Sequence, residues 1–232
     1  PCAIAMDGAF LTHSQATVTV PSQEQVNEFL PPYDRGDLLL HPDNPITIAP
    51  QANEDWLMEV RRQSSEASKN AYTVLKEVHK DYCRIFGADV DPFLEEYMTD
   101  DADVVLVGMG TMSLPVKVAI REMRKDGIKV GMVRLKWVRP FPTNELRDSL
   151  SRFKAVGVID RDYSFGSPHD GGILFNEVKA ALYGADNQPF MKGFVCGLGG
   201  REVLLEDVRS MTDQVLATIK RGKPDNEVTW MG

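Results

Sequence analysis

Four short stretches hold the residues best suited to chemistry, and each follows an apolar run. Gly108-Met109-Gly110-Thr111-Met112-Ser113 has the glycine spacing of a turn whose amides can cradle a phosphate. Ser113 stands where a dinucleotide fingerprint has its third glycine, and Lys136-Trp137 stand where a ribose-binding acid belongs. A tight turn with Ser113 capping the next helix is the competing reading. In Arg139-Pro140-Phe141-Pro142 two prolines fix the chain and direct one guanidinium toward a carboxylate, a phosphate or an acid on a partner chain. An ion pair within its own domain is the alternative. Asp160-Arg161-Asp162 offers two acids at one strand end, a pair not expected to aim together at a metal, and Asp160 is expected to accept from neighbouring backbone amides. Gly197-Leu198-Gly199-Gly200-Arg201 can form an anion nest. Cys196 beside it is either a nucleophile or, as buried cysteines mostly are, a small hydrophobe. The four histidines, His13, His41, His79 and His169, have no spacing that suggests a metal site. His13, just after Asp7-Gly8, is the one expected nearest to chemistry, and His79 reads as a surface residue.

These stretches need a framework that places them on one edge. Apolar runs at Val104–Val107, Ile128–Leu135, Ala155–Ile159 and Met191–Cys196 alternate with helical periodicity near 114–125, 144–153, 172–183 and 203–220. Strands alternating with helices at this spacing predict right-handed crossovers and a mostly parallel sheet between two helical layers. In such sheets ligands gather at the carboxyl ends of the strands, where all four stretches fall.

Upstream the pattern changes. Cys2-Ala3-Ile4-Ala5-Met6 reads as a buried strand of the kind found inside a parallel sheet. With Pro1 in first place and nothing upstream to pair with that strand, a fragment or a chain lacking an N-terminal domain is expected. No signal peptide is visible. Residues 10–53 are rich in turn formers, with Pro21, Pro31, Pro32, Pro42, Pro45 and Pro50, and read as an extended arm. Thr17–Val20 is its one candidate β segment. Leu57, Val60, Ala67, Ala71, Val74, Val78, Tyr82 and Ile85 recur at helical steps, predicting one long helix over 54–86 with Asn53 as N-cap and Gly87 as its stop. Its Arg61, Arg62, Lys69, Lys76 and Lys80 read as a solvated face.

Composition narrows the class. A net charge of −8 opposes a nucleic-acid surface, which needs clustered cations. No apolar run approaches the ~20 residues of a membrane span, so a soluble, cytoplasmic protein is expected. Cys2, Cys83 and Cys196 form neither a disulfide framework nor the closely spaced thiolate set of an iron–sulfur cluster.

The order of the motifs carries a resemblance. Asp7-Gly8, Thr12-His13-Ser14, Glu28-Phe29-Leu30-Pro31-Pro32-Tyr33, Asp43-Asn44-Pro45-Ile46-Thr47, Glu95-Glu96-Tyr97-Met98, Arg139-Pro140-Phe141-Pro142, Val158-Ile159-Asp160-Arg161 and Gly197-Leu198-Gly199-Gly200-Arg201 follow one another as in the α subunit of 2-oxoacid:ferredoxin oxidoreductases. The chain resembles the C-terminal part of that subunit, in its pyruvate:ferredoxin oxidoreductase form. The resemblance implies the end of a pyrimidine-binding domain over residues 1–20, the arm over 21–53, a helical linker over 54–100, a transketolase C-terminal-like α/β domain over 101–222 and a tail over 223–232.

It also implies thiamine diphosphate with Mg2+, [4Fe-4S] clusters held mainly by other chains or segments, and coenzyme A as co-substrate. The implied partners are the thiamine-binding β subunit, the γ and ferredoxin-like δ subunits, and ferredoxin. The glutamate that activates the aminopyrimidine lies upstream of Pro1 in this family, so the chain is expected to be inactive alone. Thr12, His13 and Ser14 are expected closest to thiamine and substrate. Arg139, Gly199, Gly200 and Arg201 are candidates for coenzyme A or subunit contact. Oxalate, 2-oxoglutarate and branched-chain 2-oxo acids are the rival substrates. A non-catalytic interaction module and a stand-alone nucleotide-binding domain are the rival classes.

Overall fold

A computed structural model describes residues 2–224 and 227–232. The chain divides into two compact units, Thr17–Pro92 and a second that joins the first sixteen residues to Phe93–Gly232.

The second unit is the expected α/β domain. Its strands are β1 (Leu94–Tyr97), β2 (Val104–Met109), β3 (Val130–Leu135), β4 (Ala155–Asp160), β5 (Phe190–Val195) and β6 (Val228–Trp230), in the order β1-β3-β2-β4-β5-β6. All neighbours are parallel except β1, which runs antiparallel to β3 along one edge. The first five residues of β2 and all six of β4 are buried, which is why they read as unbroken apolar runs: both sheet faces are covered. Helices α4 (Ser113–Lys125) and α7 (Leu205–Arg221) pack together on one face, and α5 (Thr143–Leu150) and α6 (Ile173–Leu182) on the other. One core joins Val116, Ile120 and Met123 of α4 to Val208, Met211 and Val215 of α7 over Val104, Leu106, Met132 and Phe194. Gly157 admits that packing, since a Cβ there would lie 2.8 Å from both Leu106 Cδ2 and Val215 Cγ2.

Three expectations for this unit are corrected. Glu95-Glu96-Tyr97, expected in a helical linker, is the edge strand β1. Its carboxylates tolerate the sheet because Glu95 pairs with Lys117 and Arg134, and Glu96 with Arg152, Thr99 and Ser149. The polar tail carries β6, which pairs with β5 through Gly193↔Val228. The crossovers are also not all of one hand. β4→β5 and β5→β6 step the same way across the sheet, yet α6 and α7 lie on opposite faces, so the last crossover has the hand opposite to the others. It ends in a three-residue strand, reached after Gly222 stops α7 at φ +72°.

Residues 2–7 form no strand, and Ile4 and Met6 are exposed. A strand needs a neighbour to take its backbone groups, and among the described residues no strand pairs with the segment. A single helical turn, α1 (Gly8–Leu11), follows it.

In the first unit Thr17–Val20 is not a strand, and the arm contains a helix, α2 (Gln23–Phe29). Ser22 and Gln25 make a reciprocal capping box at its start. The long helix, α3, covers Leu57–Phe86 and stops at Gly87 with φ +66°. It begins after Trp56 rather than Asn53: Asn53 Oδ1 accepts from the Asp55 amide at 3.3 Å in a turn before the helix. Phe29 packs edge-on against Tyr82 and Phe86, and Arg84 pairs with Glu28 at 2.7 Å. No residue of α3 is buried.

Candidate functional site

The parallel strands bring their carboxyl ends to one edge, and the chain reverses its direction of winding between β2 and β4. From β2 it moves to β3 on one side, and from β4 to β5 on the other. Such a reversal leaves a crevice between the two strand ends. Thr111 follows β2 at this point and Arg161 follows β4.

The side chain that meets them is Asp7. Its carboxylate accepts from the Thr111 hydroxyl and from Arg161 Nη1, the latter at 2.6 Å. The Phe10 amide also donates to it, at 3.3 Å. Arg161 lies with Cζ 5.3 Å from the centre of the Phe10 ring, and Gly197 leaves room for it, since a Cβ at Gly197 would lie 3.2 Å from Arg161 Nε. Asp7 and Arg161 side chains are 18% and 26% exposed, so the pair is better shielded than a surface salt bridge. The Thr111 hydroxyl, followed by the Phe10 amide and the Arg161 guanidinium, holds the Asp7 carboxyl below the usual carboxylate range.

Asp7 thereby ties α1 to the sheet edge, and α1 organises Thr12, His13 and Ser14. Thr12 Oγ1 donates to the Gly8 carbonyl and Ser14 Oγ to the Phe10 carbonyl, the latter at 2.6 Å. His13 Nδ1 lies 3.0 Å from the same Gly8 carbonyl and 2.9 Å from Thr12 Oγ1. A carbonyl only accepts, so its contact requires the proton on Nδ1 and leaves the lone pair of the neutral ring on Nε2. The two hydroxyls are thus turned inward on the helical turn, while the imidazole is exposed with Nε2 available to a substrate or a proton.

The other strand-end residues do different work. Asp160, buried at 3% exposure, accepts from the amides of Leu174 (2.9 Å) and Phe175 (3.0 Å) at the start of α6, as the sequence led us to expect. Asp162 accepts from Ile173 at 2.7 Å. Burial, with the Asp162 charge added, raises the Asp160 carboxyl to about 6. Gly172 is required beside it, because a Cβ there would lie 2.1 Å from the Asp160 carboxyl carbon. Cys196 is buried and its thiol is pushed up to about 11, mainly by that burial. This is a structural cysteine rather than a nucleophile.

Arg139 donates to Glu177 at 2.6 Å and to the Val138 carbonyl at 2.6 Å, an ion pair within its own domain. Gly199, Gly200 and Arg201 are exposed, with both glycines at positive φ. Arg139 follows β3 and Arg201 follows β5, three strand positions away, or roughly 14 Å at the spacing of neighbouring strands. The two arginines therefore do not clamp one small group. The clefts on the outer face of α7 and beside α2 touch none of these residues.

Thiamine diphosphate calls for a cation-bound diphosphate. Among the described residues no three His, Cys, Asp or Glu side chains converge on a possible cation, and the Thr111 turn, nearest in form to a phosphate cradle, holds the Asp7 carboxylate. The cysteines likewise do not assemble: Cys2 is exposed, Cys83 half-buried and Cys196 buried. The described residues do not fit either group.

Two family models match the chain. Residues 102–208 match the pyruvate:ferredoxin oxidoreductase core domain II, and residues 1–80 match the thiamine diphosphate-binding domain of pyruvate flavodoxin/ferredoxin oxidoreductases. The chain belongs to the 2-oxoacid:ferredoxin oxidoreductase family. It is 38% identical over 229 residues to the ketoisovalerate oxidoreductase subunit VorA of Pyrococcus abyssi, covering 98% of this chain and 57% of that one. It is 33% identical over 232 residues to the pyruvate synthase subunit PorA of the same organism, covering 100% and 58%. The chain thus spans less than two thirds of the curated relatives it matches. Among solved structures, a 2-oxoglutarate:ferredoxin oxidoreductase from Magnetococcus marinus is similar with a TM-score of 0.42 and 18% identity, over 65% of this chain and 23% of that one. No helix among the described residues is long and apolar enough to cross a membrane.

The sequence offered Asp7, Thr111 and Arg161 as parts of separate motifs but gave no sign that they meet. The usable signal was positional: Thr111 and Arg161 follow the two strands that flank the reversal, which becomes visible only once the strand order is known.

Proposed function

We propose that the chain is part of the α subunit of a thiamine-diphosphate-dependent enzyme that oxidatively decarboxylates a 2-oxo acid. Carbon dioxide leaves, coenzyme A accepts the acyl group, and the released electrons pass through iron–sulfur clusters on other chains to ferredoxin; the reverse direction uses the same parts. The observation that carries this reading is the run of relatives at 30–39% identity over 98–100% of the chain, named as pyruvate synthase or ketoisovalerate oxidoreductase subunits. Within the complex the α/β domain and the long helix serve assembly with the β, γ and δ subunits. His13, with Thr12 and Ser14, stands near substrate and thiamine, and Arg139, Gly199, Gly200 and Arg201 lie on surfaces open to coenzyme A or another subunit.

The Arg139-Pro140-Phe141-Pro142 turn inclines the reading toward pyruvate. A branched-chain 2-oxo acid is the second reading, favoured by 36–39% identity to the ketoisovalerate subunits against 30–33% to the pyruvate synthase subunits. The test is dye-linked oxidation by the assembled complex with pyruvate, 2-oxoisovalerate, 2-oxoglutarate and oxalate, each with and without coenzyme A. Turnover of pyruvate that needs both thiamine diphosphate and coenzyme A is the expected result. Preference for 2-oxoisovalerate selects the second reading, and turnover of none of the four by a cluster-loaded complex removes the function.

A further inference from the structure

We infer that Arg161 is a positioning residue for the reaction: through the Asp7 carboxylate it fixes the helical turn that presents His13. The inference rests on the proposed placement of His13 near substrate. Three links make the path. Arg161 and Thr111, on either side of the reversal between β2 and β4, both donate to Asp7. The Asp7 carbonyl accepts from the Leu11 amide at 3.0 Å, and its carboxylate accepts from Phe10, so the residue that meets Arg161 is also the one that starts α1. The Gly8 carbonyl, exposed at the head of α1, orients the His13 ring through Nδ1.

The alternative, that Arg161 merely supports its own domain, fits poorly with its contacts. Its guanidinium donates to Asp7 and to Thr111 and packs over Phe10. Two of these three residues lie in the N-terminal segment. Among the described residues that segment makes no strand and leaves Ile4 and Met6 exposed, and the Asp7 carboxylate is where it meets the sheet edge. Lysine at position 161 would keep a charge but lose the planar fork that reaches Asp7 and stacks on Phe10 together. Methionine would remove the guanidinium that donates to the Asp7 carboxylate.

The experiment uses the assembled complex with Arg161→Met, Arg161→Lys, His13→Gln and the Arg161→Met/His13→Gln double variant. A displaced group near reacting atoms costs up to roughly 100-fold, so Arg161→Met is expected to lower kcat by about 10- to 100-fold. KM should change little, and Arg161→Lys should recover part of the loss. In the His13→Gln background the same change should cost almost nothing further, because both act through one imidazole. An undiminished loss in that background, or an unchanged kcat in Arg161→Met, overturns the inference. Hydrogen exchange at the Leu11 amide provides a readout independent of turnover, and faster exchange in Arg161→Met is expected. Should the wild-type complex turn over no 2-oxo acid, the functional reading fails by itself, while unchanged Leu11 exchange removes the anchor.

Discussion

The α/β unit and the arm-and-helix unit put their apolar residues to opposite ends. In the first, Val104, Leu106, Ile120, Phe175, Phe194 and Met211 are fully buried. In the second, the thirty residues of α3 contain none that is buried, and Val60, Val74 and Val78 each keep nearly half of their surface exposed. Burial of apolar surface is the main favourable term in folding, so the α/β unit holds its shape with its own side chains. The helix has a matching apolar stripe without a core of its own. A hydrophobic periodicity in sequence therefore reports a face, not what covers it.

The contrast can be broken by substitution. The largest effect is expected for Leu106→Ala, which empties a fully buried site and should cost about 2–5 kcal/mol, read from the denaturant midpoint of the α/β unit. If that midpoint does not move, the core is not where the structure puts it.

Asp160 supplies a pH-dependent test of the same unit. Its carboxyl titrates at about 6 when folded against 3.8 ordinarily, so the folded state holds a proton that the unfolded chain has already lost. The stabilisation from this group is complete below about pH 4 and disappears as pH rises through about 6, by roughly 3 kcal/mol at 1.36 kcal/mol per pKa unit. Paired Glu95 and Glu96 are shifted downward and act in the opposite sense at lower pH. The comparison is therefore made between wild type and Asp160→Asn, whose stability difference should change between about pH 4 and about pH 7.

The helical unit should respond more weakly. Phe29→Ala removes the edge-on contacts with Tyr82 and Phe86 and should cost about 1 kcal/mol, seen as faster hydrogen exchange at the Val26 and Leu30 amides. Val60→Ala should change the stability of the chain by less than about 0.5 kcal/mol. In a pull-down of the assembled complex its effect should be larger than in the chain alone. Equal effects in the two settings would erase the distinction between the units.

What the sequence revealed follows the same division. Unbroken runs such as Val104-Val105-Leu106-Val107 announced the buried strands, Gly87 announced the end of α3, and an acid directly after a strand announced the Asp160 cap. β1 does not read as a strand in sequence because two of its four residues are glutamates, whose cost is offset by Lys117, Arg134, Arg152 and two hydroxyls from elsewhere in the fold. α2 is masked in the sequence by the neighbouring prolines, although Ser22 and Gln25 have the spacing of a capping box. Cys2–Met6 has the composition of a strand, but composition does not supply a neighbour to pair with. The Asp7–Arg161 bond joins positions 154 residues apart, beyond the reach of any local pattern.

One dimension of α3 carries a further consequence. At 1.5 Å per residue its thirty residues make a rod of about 45 Å, nearly twice the roughly 24 Å spanned by the six strands of the sheet. Val60 and Val78 are separated by about 27 Å along it. A single pocket or one inserted side chain cannot shelter both ends of that stripe. Only a neighbour with an elongated trough, or several neighbours in series, has the right reach, which makes the helix a measuring stick for the surface that would receive it.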